Sequence, residues 1–96
     1  MSYQLRFTLA AEADLLRLYK FQLERDTTVA KRALTAITKA LDLLRDFPFS
    51  CRKANTENPF IREMVIPFGN AGYVALFEIE AEQTVTIIAV RHQLEE

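Results

Sequence analysis

The stretch Phe60–Glu96, "FIREMVIPFGNAGYVALFEIEAEQTVTIIAVRHQLEE", is the part of the chain on which the fold turns. Apolar residues recur at every second position in three runs, "FIREMVIPF" (60–68), "YVALFEIE" (73–80) and "TVTIIAVR" (84–91), separated by "GNAG" and "AEQ". Successive side chains of a strand point to opposite faces, so this period of two predicts three half-buried strands. Connections this short join neighbours, and the three strands form an antiparallel meander. The glycines of "GNAG" can take positive φ in a turn; no helix follows to supply an anion-binding N-terminus, so the motif is not a phosphate loop.

Upstream, "PFSCRKANTENP" between Pro48 and Pro59 has no periodicity and reads as a loop. Before it the period changes to that of helices. "AEADLLRLYKFQLER" (11–25) places Ala11, Leu15, Leu18, Tyr19 and Gln22 along one stripe, flanked by Leu16 and Leu23, with Glu12 and Asp14 where the helix dipole favours anions. After "DTT", with Thr28 as N-cap, Ala30, Leu34, Ile37, Leu41 and Leu44 follow at alternating spacings of four and three, and Pro48 ends the helix. A connection of a few residues makes the two helices an antiparallel hairpin. In "YQLRFTLA", Tyr3, Leu5, Phe7 and Leu9 alternate with Gln4, Arg6 and Thr8 as a first strand. The order β-α-α-β-β-β predicts an α+β domain spanning residues 1–96, with an antiparallel sheet packed on an αα-hairpin. The first strand joins at an edge or pairs with a sequence-distant strand, and the pattern leaves both open.

Ninety-six residues suit one small domain with one core. The apolar runs fall far short of the roughly 20 residues of a membrane span, and "MSYQLRF" has no signal-peptide pattern, so a cytoplasmic protein without membrane attachment is expected. Cys51 is the single cysteine and has no CxxC partner; a disulfide and a zinc site are not suggested, and no residue set calls for a metal or other cofactor. The net charge of −1 gives no reason to expect direct nucleic-acid binding. Its distribution is uneven: residues 1–53 carry ten Lys/Arg against six Asp/Glu, and residues 54–96 two against seven. If the halves form separate surfaces, one side of the molecule is basic.

A first strand followed by "AEADLLRLY", a helix ending "LDLLRDFP", then "IREMVIP", "GYVALFEIE" and "VTIIAVRHQLEE" resembles, in order and spacing over essentially the whole chain, the RelE/ParE superfamily of bacterial toxins, and its ParE branch in particular. The resemblance implies the toxin of a type II toxin-antitoxin module, of the kind once called plasmid stabilisation systems. Its partner would be a cognate antitoxin that lays a C-terminal segment along the toxin, and contact with operator DNA would come only through the antitoxin complex. ParE-type toxins are described as poisons of DNA gyrase, whereas RelE-type toxins cut messenger RNA in the ribosomal A site. The fold is shared, so the site must decide the target.

Cleavage at a ribose 2′-OH needs a base, a cation for the phosphorane and an acid for the leaving oxygen. RelE-like toxins are described as meeting these needs with Lys/Arg and a late Tyr, or with Glu, Arg and a late His. Here no tyrosine follows Tyr73, no arginine stands ahead of "GY", and after Arg62 the only Lys or Arg is Arg91. A ribonuclease would therefore rest on His92, Arg62 and Arg91, with Glu63 as a further proton acceptor. Unbroken alternation puts His92 in phase with Thr86, Ile88 and Val90, and Arg91 with Val85, Ile87 and Ala89, so the pair straddles the sheet. Arg62 reads as pairing with an acidic neighbour such as Glu78, with a contact to the antitoxin as the functional alternative. The favoured expectation is a non-enzymatic ParE-like toxin in which Arg91 and His92 finish the last strand beside a partner-binding surface. Target contacts are placed on Lys20, Arg25, Lys31 and Arg32 of the helix hairpin and on Arg91, His92 and the tail.

Overall fold

A computed structural model describes residues 2–54 and 56–94. The elements are β1 (Gln4–Phe7), α1 (Leu9–Leu23), α2 (Thr27–Leu43), a 3-10 turn (Pro48–Ser50), β2 (Arg52–Lys53), β3 (Ile61–Phe68), β4 (Ala71–Glu80) and β5 (Thr84–His92). Among the described residues the five strands form one sheet in the order β1-β5-β4-β3-β2. The meander β3-β4-β5 is antiparallel, as its short turns require. β1 takes the edge beside β5 and runs parallel to it, Leu5 opposite Val85 and Phe7 opposite Ile87, which makes the sheet mixed. Parallel pairing follows from the crossover: the chain leaves β1, passes through both helices on one face, and returns to the sheet far along the sequence.

The helices begin where local chemistry allows. Thr8, in extended conformation, caps α1 by accepting from the Ala11 N–H at 3.0 Å, and its hydroxyl donates to the Ile88 carbonyl at 3.0 Å. One side chain thus ends β1, starts α1 and ties it to β5. This displaces Leu9 from the predicted strand to the first position of the helix, where it is exposed. The cap of α2 is Asp26 rather than Thr28: its carboxylate accepts from the N–H groups of Thr28 and Val29 at 2.8 and 3.1 Å. A carboxylate at that position also offsets the positive end of the helix dipole. On α2, Ala33 faces the core and Leu34 does not. The region 48–59 is less open than its composition suggests, since it holds the 3-10 turn and β2, which pairs with Arg62 and Glu63.

Both helices cover one face of the sheet. The core joins Ala11, Leu18, Ile37, Leu41 and Leu44 to Ile66, Tyr73, Phe77, Val85, Ile87 and Val90. Between β4 and β5 the register shifts at Leu76/Phe77, with Leu76 opposite Ala89 and Phe77 opposite Ile87, so Ile88 is an extra residue. Such a bulge reverses the phase of everything after it. Val85, Ile87, Val90 and His92 therefore face the helices, and Arg91 faces the open side, opposite Val74. The two residues do straddle the sheet, but His92 shares its face with Val85 and Ile87, contrary to unbroken alternation.

Arg62 also differs from expectation. It pairs with Phe77 on the helix-facing side of β3, whereas Glu78 sits opposite Ile61 and points the other way. The guanidinium instead donates to three carbonyls, of Pro59 at 3.0 Å, Phe49 at 3.2 Å and Cys51 at 2.8 Å, and lies over the Phe49 ring. It fastens the 3-10 turn and the start of β2 to the sheet. Arg62→Met is expected to lose about 1 to 2 kcal/mol of stability, since these are charge-assisted but partly hydrated bonds. Arg62→Lys is expected to recover less than half, because one ammonium does not span the three acceptors that the planar fork reaches. Equal urea midpoints for parent and Arg62→Met exclude the clamp.

Candidate functional site

At the end of the molecule carrying the β3–β4 turn, α1 and the last residues of β5 diverge and leave a groove of about 590 Å³. One side is built from Arg17, Leu18, Phe21 and Gln22 of α1 with Arg25 in the turn just past it, and its sheet side from Tyr73, His92 and Leu94. The α1 residues stand at spacings of one, three and four, as one face of a helix requires. The floor is Tyr73, buried at 1% exposure, whose phenol oxygen accepts from Gln22 Nε2 at 3.2 Å. The His92 ring meets Tyr73 edge-on at 5.5 Å between centroids. Its Nδ1 accepts from the Leu94 N–H at 3.2 Å, an arrangement that puts the proton of the neutral ring on Nε2.

The rim is basic. Arg25 lies over the Phe21 ring at 5.3 Å, and Arg17 reaches Asp14 at 3.5 Å. Asp14 also holds the sheet, since its other carboxylate oxygen accepts from the Val90 N–H at 3.0 Å. Beyond Phe7 the outer edge of β5 has no strand beside it among the described residues, and the Thr8 hydroxyl and the Asp14 carboxylate take its backbone groups instead. The groove wall is therefore fixed to the sheet by side chains of α1 and its cap. The apolar surface continues outside, with Leu16, Phe21 and Leu94 at 55, 52 and 78% exposure. The groove thus offers an apolar floor, exposed apolar shoulders and two guanidinium groups, which suits a partner with apolar and acidic side chains.

Of the expected target residues, the structure brings Arg25 and His92 together. Lys20 stands on the outer side of α1 beside Leu16 and Phe21, and Lys31 and Arg32 flank a shallow hollow under Phe68 on α2. Arg91 is on the opposite face of the sheet, and Glu95 and Glu96 of the tail lie outside the described residues. The ribonuclease set does not assemble. Arg62 and His92 lie on rungs set by Phe77 and Tyr73, four residues apart on β4, or roughly 13 Å along the strand. Arg91 faces away from both. Glu63 is engaged by Arg52 at 3.2 Å on the side of the sheet away from the helices. Burial raises the Cys51 thiol pKa, outweighing the hydrogen bond with Ser50 and the charge of Arg62, and so disfavours the thiolate.

Arg17, Phe21, Gln22 and Tyr73 complete the groove and were not among the expected site residues. The spacing of Arg17 and Phe21 on α1, continued by Arg25 in the turn just past its end, marks a mixed cationic and aromatic stripe that the sequence does display. That this stripe faces His92 depends on the bulge at Ile88, which no periodicity marks.

Comparison with known proteins gives a consistent picture. The model of the family described as ParE toxin of type II toxin-antitoxin system, parDE, matches residues 5–96. Over 96 residues the chain is 29% identical to Toxin RelE1 of Caulobacter vibrioides, covering 100% of this chain and 99% of that protein. Among solved structures, the chromosomal ParDE system of P. aeruginosa superposes with a TM-score of 0.76 at 18% identity, covering 95% of this chain and 96% of the other. A chain of the RelBE2 toxin-antitoxin complex of Mycobacterium tuberculosis superposes with a TM-score of 0.67 at 26% identity, covering 96% of this chain and 99% of the other. A mutant of E. coli toxin RelE in the free state gives a TM-score of 0.62 at 18% identity, covering 95% and 83%.

Proposed function

The chain belongs to the ParE toxin family of type II toxin-antitoxin systems, and from that premise we propose that it is a non-enzymatic toxin that binds and inhibits DNA gyrase and is neutralised by a cognate antitoxin. The observation that carries this reading is the dispersal of His92, Arg62 and Arg91 over both faces and two ends of the sheet. Acid-base cleavage of RNA needs its groups within hydrogen-bond reach of one phosphodiester. Binding a large protein needs an apolar floor with a charged rim, which the α1–β5 groove supplies. The direct test is supercoiling by purified gyrase with increasing toxin. Inhibition that titrates with toxin and is reversed by antitoxin supports the proposal; undiminished supercoiling at a large excess of toxin overturns it.

The antitoxin segment is assigned to the same groove, as an amphipathic helix whose acidic residues meet Arg17 and Arg25. Past Glu63 the outer edge of β3 also has no strand beside it among the described residues, and an extended part of the partner fits there as far as Pro67, which has no N–H to offer. Antitoxin at about 1,000 times its Kd is expected to add about 4 kcal/mol to toxin stability. The increment is expected to shrink in Arg17→Glu/Arg25→Glu. An unchanged melting temperature on adding antitoxin removes the groove assignment.

A second reading has one observation in its favour: His92 shares the groove with Arg17 and Arg25, so a histidine and two cations do meet, though not the ones expected from sequence. On that reading the toxin is a ribosome-dependent messenger RNA endonuclease of the RelE kind.

A further inference from the structure

The side of α2 turned to solvent carries cations and no acid. Ala30, Ala33, Ile37 and Leu41 recur at spacings of three and four and are buried, so they turn one side of the helix to the sheet. Thr28, Arg32, Thr35 and Lys39 recur at the same spacings, offset by two residues or roughly 200° around the helix, and so stand opposite the core. Lys31 flanks that row, and all five side chains are exposed. Between Thr27 and Leu41 there is no Asp or Glu. The acids that bound the stretch are committed: Asp26 accepts from the N–H groups of Thr28 and Val29, and Asp42 accepts from Arg45 at 2.8 Å. Among the described residues no carboxylate lies within ion-pair distance of Lys31, Arg32 or Lys39. Uncompensated positive charge therefore extends over roughly 12 Å of helix. The net charge of −1 averages over this face, because residues 54–96 carry seven Asp/Glu against two Lys/Arg.

We propose that this face of α2 binds the phosphate backbone of duplex DNA without regard to sequence, through Lys31, Arg32 and Lys39. The inference goes beyond the proposed function and does not rest on it. Lys and Arg contacts to phosphates position a protein on a duplex and read no bases. An acidic protein segment fits less well, because protein interfaces centre on aromatic or aliphatic anchors and are depleted in lysine, and the row from Thr28 to Lys39 holds no such anchor. Thr35 and Thr38 turn their hydroxyls inward, donating to the Lys31 and Leu34 carbonyls at 2.9 and 3.0 Å, which leaves a low surface between long cationic arms. A single strand asks for rings on which bases stack. Phe68, the ring that borders Lys31 and Arg32, is instead partly buried and packed on Tyr73 at 6.1 Å. A duplex backbone asks for charge alone. Three contacts make a weak site, which counts when a partner already holds DNA alongside and raises its local concentration. The groove lies between α1 and β5, so a protein there and a duplex on α2 use different surfaces.

The test is fluorescence anisotropy of a labelled duplex of about 20 base pairs and arbitrary sequence, titrated with the full chain at salt from about 25 to about 200 mM. Three phosphate contacts predict a slope of log K against log salt of about −2.7, so binding weakens about fortyfold when salt rises fourfold. Lys31→Gln/Arg32→Gln/Lys39→Gln leaves the core untouched and is expected to bind at least about tenfold more weakly at the lowest salt, and Lys39→Gln alone to flatten the slope by about 1. Arg6→Gln removes a cation from the sheet face away from the helices and is expected to bind within about twofold of the parent. No saturable binding at the lowest salt overturns the proposal, as does a triple variant that binds like the parent, or an Arg6→Gln variant that loses as much as the triple one. Polyglutamate that displaces the duplex at equal charge concentration overturns it in favour of an acidic protein segment as the occupant.

Discussion

Gly72→Ala is expected to lose about 3 kcal/mol or more of folding free energy, over about a hundredfold in the ratio of folded to unfolded molecules. Gly72 stands at φ +145, where an L side chain is rarely found, and a Cβ there would lie 2.2 Å from the Ile66 carbonyl oxygen and 3.0 Å from the Phe68 nitrogen. Both obstacles are backbone atoms of β3, so no rotamer change relieves them. Moving β3 would break the pairing of Pro67 with Gly72 and of Ile66 with Tyr73, and would shift the floor of the groove. A small domain with about 5 to 15 kcal/mol in hand tolerates little of this. Gly69→Ala is the control: φ is +61 in the tight turn before Ala71, but nothing stands within 4 Å of the added Cβ, so only the left-handed backbone cost of about 1 to 2 kcal/mol applies. Urea denaturation of the two variants checks the order; equal midpoints would mean that strand β3 yields more easily than its pairing implies.

The same turn shows how far the sequence can be read. "GNAG" between two alternating runs identifies a hairpin, and both glycines do take positive φ. The meander and the helix hairpin are legible because each depends on a local period reinforced by many residues. What the periods do not carry are single-residue events. Thr8 reads as a strand residue and Thr28 as the cap of α2, whereas Thr8 caps α1 while donating to the Ile88 carbonyl and Asp26 caps α2 by accepting from two N–H groups. The bulge at Ile88 leaves no mark in "TVTIIAVRHQ", since an apolar residue follows an apolar residue on either face. Arg62 looked like half of an ion pair because Glu78 lies close across the strands; the register shows them one residue, and hence one face, apart. The candidate site suffered most, because a groove is defined by which faces meet. Arg25 and His92 do line one groove, Lys31 and Arg32 border a separate hollow beside Phe68, and Arg17, Phe21, Gln22 and Tyr73 join the groove only once α1 is set against β5.

His92→Gln separates the two readings of that groove by orders of magnitude. A general acid or base typically contributes about 10²- to 10⁴-fold, so an RNA-cutting toxin that used this set of one histidine and two arginines would lose nearly all cleavage. Glutamine keeps a hydrogen-bond acceptor for the Leu94 N–H and fills much of the space against Tyr73, so the groove itself should persist. For a gyrase-binding toxin the change then removes one polar ring contact, worth about 1 kcal/mol or about fivefold in affinity. The proposed function predicts the small effect: growth arrest retained, supercoiling inhibited at toxin concentrations within about fivefold of the parent, and messages intact in both. Expression of parent and His92→Gln without antitoxin, with primer extension on cellular messages and a supercoiling assay on purified gyrase, decides the matter. Codon-phased cuts that disappear in His92→Gln would establish the ribonuclease and assign its chemistry to His92 with Arg17 and Arg25. Cuts that persist in His92→Gln but vanish in Arg62→Met would place an active centre at the other end of the sheet, where Arg62 now holds three carbonyls, and would refute the structural role given to that side chain.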